Sequence, residues 1–85
     1  MYLHIGNNKS IRINGIIGIF DTDNATLSPV TKKYLSEAER RGEVIWAVDD
    51  IPRSFIISKD KGRLFVYFSP LSVTAVYGRL AEIVK

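Results

Sequence analysis

The stretch RSFIISKDKGRLFVYF, residues 53–68, decides the fold. Its two halves are rich in Phe, Ile, Val and Tyr, which favour β-strands. Between them lies Asp60-Lys61-Gly62, a short turn in which Gly62 can take a positive φ. The pattern therefore predicts a hairpin of two strands, residues 53–58 and 63–68. The second strand is apolar on both faces, which is typical of a strand that is covered from both sides.

Four more strands are predicted upstream of this hairpin, each bounded by turn residues. They span residues 2–5, 9–13, 16–20 and 43–48. The turns between strands fall at Gly6-Asn7-Asn8, at Asn14-Gly15, and at the DDIP of residues 49–52, while DTDNATL, residues 21–27, is expected to be a polar loop.

Two helices are predicted, each from a Ser-Pro start. Ser28 caps the first, and Gly42 lies just past its end, where a left-handed residue is favoured. Ser69 is expected to cap the second. Apolar residues recur at helical spacing in both segments: Val30, Tyr34, Leu35 and Ala38 in the first, and Val73, Val76, Leu80 and Ile83 in the second. The order β-β-β-α-β-β-β-α predicts a small α+β domain, residues 1–85, with an antiparallel sheet and two helices.

The composition narrows the class of protein. The chain has 85 residues, no cysteine and a formal net charge of +3. Disulfides, thiolate zinc sites and thiol nucleophiles are therefore excluded. The N-terminus has no apolar signal region and no apolar run approaches the ~20 residues that span a membrane, so we expect a cytoplasmic protein without membrane contact.

Catalytic and metal-binding residues are sparse. His4 is the only histidine and lies within a predicted strand. The polar loop at Asp21, Asp23 and Asn24 lacks the glycine and the distal glutamate of a calcium loop. Asp49-Asp50 could be a catalytic pair, but adjacent carboxylates in a turn normally face water. We therefore predict no enzyme, no cofactor, no metal site and no small-molecule substrate.

Self-association is predicted from two strands, IIGIF and LFVYF, that are apolar on both faces. A two-layer domain of this size cannot easily cover both faces of both strands, and large exposed apolar patches are rare on soluble monomers. The alternative is a monomer with an unusually aromatic core.

Basic residues suggest a second kind of partner, nucleic acid. Lys9 and Arg12 lie near the turn that contains Asn14, Lys32 and Lys33 open the first helix, and Arg53 follows the DDIP turn. Lys59, Lys61 and Arg63 surround the last hairpin. On one protomer these charges could also be an ordinary solvated surface, but an oligomer would repeat them and multiply the phosphate contacts.

The chain resembles the bacterial extracellular-matrix regulatory proteins, the RemA/RemB family, over nearly its whole length. The resemblance is carried by YLHIG, INGIIGIFD, SPVTKKYLSEAERRG, IPRSFII and FSPLSVTAVYGRL in this order and spacing. MYLHIG, GIFD, IPRS and FSPLS look like the B type. The family implies a β-rich protomer that assembles into rings and, for the A type, a DNA-binding transcriptional regulator of biofilm-matrix genes.

Two departures from the A type bear on DNA binding. Gly15 stands where the A type has an arginine after the asparagine, and Asp50 and Ile51 stand where it has an arginine run. Only Arg53 matches a basic residue there. The expected function is an oligomeric regulator that binds double-stranded DNA through Arg53, Arg12, Lys9, Asn14, Lys32 and Lys33. The alternative is an oligomeric scaffold or partner module without DNA contact.

Overall fold

The computed structural model describes residues 1–84. The strands are β1 (Tyr2–Gly6), β2 (Lys9–Arg12), β3 (Ile16–Asp21), β4 (Val44–Trp46), β5 (Ser54–Asp60) and β6 (Arg63–Ser69). The α-helices are α1 (Thr22–Ala25), α2 (Pro29–Arg40) and α3 (Val73–Val84), and a 3-10 turn spans Ile13–Gly15. The α+β class is confirmed, with one helix more than the two that the sequence predicted.

The β5–β6 hairpin is confirmed and lies at the centre of a four-stranded sheet. Its turn has Lys61 at φ 51° and Gly62 at φ 83°, the left-handed pair that a two-residue hairpin turn requires. The sheet order is β3-β5-β6-β4, and β1 pairs with β2 in a separate antiparallel hairpin. Because β4 runs parallel to β6, the sheet is mixed, and the prediction of a purely antiparallel sheet was wrong.

The parallel strand follows from the path of residues 47–53. Residues 49–52 of this segment were predicted to be a turn between paired strands, but β4 and β5 do not pair, because β6 lies between them. The backbone N–H of Ala47 donates to the carbonyl of Phe68 at 2.8 Å, and the N–H of Arg53 donates to that of Ser69 at 2.9 Å. The segment therefore crosses the end of β6 and enters the sheet on its other side.

Both faces of the central hairpin are covered within the protomer. On one face α2 packs through Ala38 against Phe55, Val66 and Phe68. On the other face Ile56 joins a second core, contributed by β1, β2, α3 and the crossing segment: Leu3, Ile5, Ile11, Ala47 and Val76. The fold therefore has three layers. The two-layer premise was wrong, and the apolar character of LFVYF no longer requires a second subunit.

The two Ser-Pro starts have different roles. Ser28 caps α2 as predicted, and its Oγ accepts a hydrogen bond from the N–H of Thr31 at 3.4 Å. The third helix instead begins at Val73, and its cap is Ser72, which accepts from the N–H of Ala75 at 3.1 Å. The prediction that Ser69 caps this helix was wrong.

Ser69 is fully buried at the end of β6 and joins two layers. Its Oγ donates to the carbonyl of Ile5 at 2.7 Å and accepts from the N–H of Leu71 at 3.1 Å. The side chain thus holds β1 against the end of the central strand and fixes the turn into α3.

Two further turn predictions were revised by the structure. Asn14-Gly15 is part of the 3-10 turn and does not close a hairpin, because β2 and β3 lie in different sheets. The polar loop after β3 contains α1, which Asp21 caps by accepting from the N–H of Asn24 at 3.1 Å. The left-handed residue after α2 is confirmed, with Gly42 at φ 73°.

We expect Ser69→Ala to lower the free energy of unfolding by about 1–3 kcal/mol, because the buried carbonyl of Ile5 and the partly buried N–H of Leu71 lose their common partner. Ser28→Ala, which removes only a cap, is expected to cost about 1 kcal/mol. Urea denaturation followed by Trp46 fluorescence measures both. Ser10→Ala, on the exposed part of β2, is the control and should stay within about 0.5 kcal/mol of the parent. A Ser69 variant as stable as this control would contradict the bridging role.

Candidate nucleic-acid interface

The predicted DNA-binding residues fall into three groups that the fold keeps apart. The two ends of the sheet lie about 20 Å apart, the length of the seven-residue strand β5. Arg12 and Asn14 lie at the end that carries the β5–β6 turn, which we call the basic end. Lys9 and Arg53 lie towards the opposite end, which carries the crossing segment, and Lys32 and Lys33 are exposed on α2.

The basic end contains a polar cavity of about 210 Å³, which we call the basic cleft. The 3-10 turn forms one wall, and the end of the β5–β6 hairpin forms the other. The lining residues are Arg12, Asn14, Gly15, Lys59, Asp60 and Lys61. Three cationic side chains from two separate parts of the chain, the end of β2 and the β5–β6 hairpin, therefore line one surface.

These three cations are not neutralised by ion pairs. Within residues 1–84 the salt bridges join Arg41 to Glu37 and Glu43, and Arg63 to Glu43. Arg12, Lys59 and Lys61 have no carboxylate oxygen within 4.0 Å in that part of the chain. Free cations on a concave surface are suited to binding phosphate oxygens, because they need not give up a protein partner.

Arg63 lies beside this cluster but is engaged elsewhere. Its guanidinium lies 3.5 Å from the carboxylate of Glu43 and 5.2 Å from the centre of the Phe65 ring. The pKa of Glu43 is held below its ordinary value, chiefly by the hydrogen bond from Arg41 and further by the charges of Arg41 and Arg63. Glu43 therefore stays ionised at neutral pH and offsets the charge of Arg63.

The opposite end of the sheet, which we call the acidic end, has the reverse character. Asp49 accepts a hydrogen bond from the side-chain amide of Asn7 at 3.0 Å, and Asp50 is exposed. Arg53 is exposed too, and its backbone carbonyl accepts from the N–H of Thr22 at 3.2 Å. Asp21 and Asp23 are exposed around α1, which begins at this end. Lys9 and Arg53 thus lie towards the end of the sheet that also carries these four aspartates.

An apolar groove of about 270 Å³ lies beside the edge strand β3, on the α2 side of the sheet. Its lining residues are Phe20, Ala25, Val30, Thr31, Tyr34, Phe55 and Ile57. Val30 was predicted to belong to the buried stripe of α2, but it is 78% exposed at this groove. The Phe20 ring stacks on Phe55 with centroids 5.1 Å apart and lies over Gly18, where an added Cβ would come within 2.6 Å of that ring.

The other candidate sites remain isolated side chains. His4 is exposed on β1, and its backbone carbonyl accepts from Arg79 at 3.1 Å. No group of three or more His, Asp or Glu side chains within residues 1–84 could hold a metal ion. None of the helices in that range is long and apolar enough to span a lipid bilayer.

Lys59 and Lys61 line the basic cleft but were not among the predicted DNA-binding residues. The sequence placed them around the last hairpin, but it could not show that the Asn14-Gly15 turn packs against that hairpin. One signal is Gly15: a Cβ at this position would lie 2.5 Å from the Lys59 carbonyl, so only glycine allows the two segments to meet.

Comparison with known proteins gives one informative relative. No family model matches the chain. The chain is 29% identical over 79 residues to Extracellular matrix regulatory protein B of Bacillus subtilis (strain 168), an alignment that covers 93% of this chain and 89% of the relative. The resemblance inferred from the sequence is thereby confirmed: the chain is similar to an extracellular matrix regulatory protein of the B type over nearly its whole length.

Proposed function

We propose that this protein is a regulator of extracellular-matrix production that acts in the cytoplasm as a DNA-binding homo-oligomer. The relative's name supports the regulatory role. The observation that carries the DNA part is the basic cleft, where Arg12, Lys59 and Lys61 converge without ion-pair partners. Asn14 lines the same cleft and can donate hydrogen bonds to phosphate or sugar oxygens.

The basic cleft also explains how the chain could bind DNA without the A-type arginines. Gly15, which replaces an A-type arginine, lines the cleft. Arg12, Lys59 and Lys61 around it supply positive charge in place of that arginine. Asp50 and Ile51, the other departure, lie at the acidic end. From the charges of this chain we therefore infer a DNA surface that is centred on the basic end and does not include the crossing segment.

Self-association is part of the proposal, and β3 is the strand that supports it. β3 pairs only with β5 within the described chain, which leaves its other edge open. Ile17 is the extra residue of a bulge on this edge and is 61% exposed, and the apolar groove lies alongside. An apolar edge strand is a template for a second chain, and repeated subunits would repeat the basic cleft along one DNA molecule.

A scaffold or partner module without DNA contact is the second candidate. It is favoured by the acidic end, where Asp49 and Asp50 would repel phosphate and could bind a basic protein surface instead. The two candidates use opposite ends of the sheet, so substitutions at each end can separate them.

We expect Arg12→Ala, Lys59→Ala and Lys61→Ala each to weaken binding to duplex DNA irrespective of base sequence. Each should also reduce the slope of log affinity against log salt by about one unit per lost phosphate contact. Fluorescence anisotropy of a labelled duplex at several salt concentrations measures both quantities. Lys33→Ala removes the same charge from α2 and is the matched control. Equal losses for Lys33→Ala and the three cleft variants would remove the basic cleft as the DNA surface.

We expect the protein to have a solution mass several times 9.6 kDa, the mass of one chain. Ile17→Lys should reduce that mass, because an edge lysine opposes strand pairing. Ile51→Lys, at a residue 79% exposed in the crossing segment, is the control and should leave it unchanged. Light scattering coupled to size exclusion gives each mass. A parent protein that is monomeric at micromolar concentration would contradict the oligomer.

We expect Arg53→Ala to weaken DNA binding less than Lys59→Ala, because Arg53 stands near carboxylates that already disfavour phosphate. Asp50→Arg replaces a negative charge of the crossing segment with a positive one. It should strengthen DNA binding only if the DNA reaches the acidic end. The same anisotropy titration, with the assembly mass checked for each variant, compares them. A loss on Arg53→Ala that exceeds the loss on Lys59→Ala would place the DNA at the acidic end and contradict the assignment to the basic cleft.

A further inference from the structure

A second cavity adjoins the basic cleft and has a different lining. It lies where exposed residues of the β1–β2 hairpin meet the end of the β5–β6 hairpin, with a volume of about 210 Å³. We call it the tyrosine cleft. Its lining residues are Tyr2, Ser10, Arg12, Ser58, Lys59, Asp60 and Tyr67. Arg12, Lys59 and Asp60 line both cavities, so the two clefts share one set of charges.

Local structure explains why these side chains meet. Exposed and buried residues alternate along β1 and β2, and Tyr2 pairs in register with Arg12, so both point away from the core formed by Leu3 and Ile11. Tyr67 lies opposite Ile56 on the central hairpin, on the face that the β1–β2 hairpin covers. The polar face of one hairpin and the end of the other thus enclose the tyrosine cleft.

The polar groups of the tyrosine cleft are uncommitted. Within residues 1–84 the hydroxyls of Tyr2, Ser10 and Tyr67 have no hydrogen-bond partner, and neither do the charged ends of Arg12 and Lys59. Burial, and to a lesser extent the charge of Asp60, raise the pKa of Tyr67 above its ordinary value, so its phenol keeps its proton at neutral pH. The tyrosine cleft therefore presents two cations, hydroxyl donors, two aromatic rings and one carboxylate acceptor to a ligand.

The combination indicates a ligand with an anionic part and a planar part. Arg12 and Lys59 suit a phosphate, which is too small to occupy about 210 Å³ alone. Tyr2 and Tyr67 offer apolar rings with polar ends, the usual surface for a planar group, and Asp60 can accept from an amino or hydroxyl group. We propose that the tyrosine cleft binds a nucleotide, with its phosphates on Arg12 and Lys59 and its base or ribose against the tyrosines and Asp60.

Shared charges give this site a regulatory consequence, which rests on the proposed DNA binding. A nucleotide that occupies Arg12 and Lys59 removes two of the three cations of the basic cleft from DNA. Nucleotide and duplex should therefore compete, and by linkage each should weaken the binding of the other by the same factor.

Isothermal titration calorimetry with ATP and GTP tests the site itself. Adenosine, which lacks phosphate, and tripolyphosphate, which lacks a ring, are the matched probes. We expect at least one nucleotide to bind roughly tenfold or more tightly than either probe, since each half of the site contributes. No nucleotide binding at millimolar concentration, or tripolyphosphate binding as tightly as both nucleotides, would overturn the proposal.

Substitutions assign the two halves of the ligand. Lys59→Ala should lower nucleotide affinity towards that of adenosine, because Arg12 alone then holds the phosphates. Tyr2→Ala, at a residue 62% exposed, should lower it towards that of tripolyphosphate, because Tyr67 alone then contacts the base. Tyr67→Phe keeps the ring and tests the hydroxyl alone, and Lys33→Ala is the control. Thermal melts confirm that each variant is folded. Nucleotide binding unchanged in Lys59→Ala and Tyr2→Ala would place the ligand elsewhere and overturn the assignment.

A competition experiment separates this proposal from the proposed function. Nucleotide should displace a labelled duplex from the parent protein. If the nucleotide binds but no duplex does, the tyrosine cleft stands and the DNA proposal fails. If the duplex binds and the nucleotide neither binds nor displaces it, the tyrosine cleft fails and the DNA proposal stands.

Discussion

The pairing of β5 with β6 is the interaction on which the rest of the structure depends. Seven residue pairs join these strands from Ser54↔Ser69 to Asp60↔Arg63, and their inner side chains form the middle of both cores. β3 adds to the free side of β5 and β4 to the free side of β6. The helix α2 covers one face of this pair, and β1, β2 and α3 cover the other. A strand that is apolar on both faces is therefore a condition for three layers in a chain of 85 residues.

Local features of the chain were predictable from the sequence. Which distant segments pack or pair with one another was much harder to predict. The central hairpin, the Ser28 cap and the left-handed Gly42 depend on contacts within a few residues, and such contacts are visible in the sequence. The parallel pairing of β4 depends on a segment that crosses the end of β6, and residues 47–53 suit a turn and a crossing equally well. Ser69 is a second example. A Ser-Pro pair predicts a helix cap from the sequence, and only the structure shows that the Ser69 hydroxyl binds β1 instead.

Because long-range contacts are not visible in the sequence, only some of the residues that line the basic cleft were predicted. Arg12 and Asn14 were identified from a local turn, but their neighbours Lys59 and Lys61 come from a hairpin more than forty positions away. Charge counting also could not show which cations are neutralised. Glu43 engages Arg41 and Arg63, whereas Arg12, Lys59 and Lys61 have no ion-pair partner within residues 1–84, so the two ends of the sheet differ in charge. This polarity favours one orientation of the protomer towards an anionic partner.

The strand order has a consequence for biosynthesis. β3 and β4 are made before their partners, because β3 must pair with β5, which ends at Asp60, and β4 must pair with β6, which ends at Ser69. Until β5 and β6 have left the ribosome, only the β1–β2 hairpin and the helices can form, and the apolar residues of β3 have no sheet to join. The nascent chain thus exposes IIGIF until β5 is made, a period in which chaperone contact would protect it from aggregation.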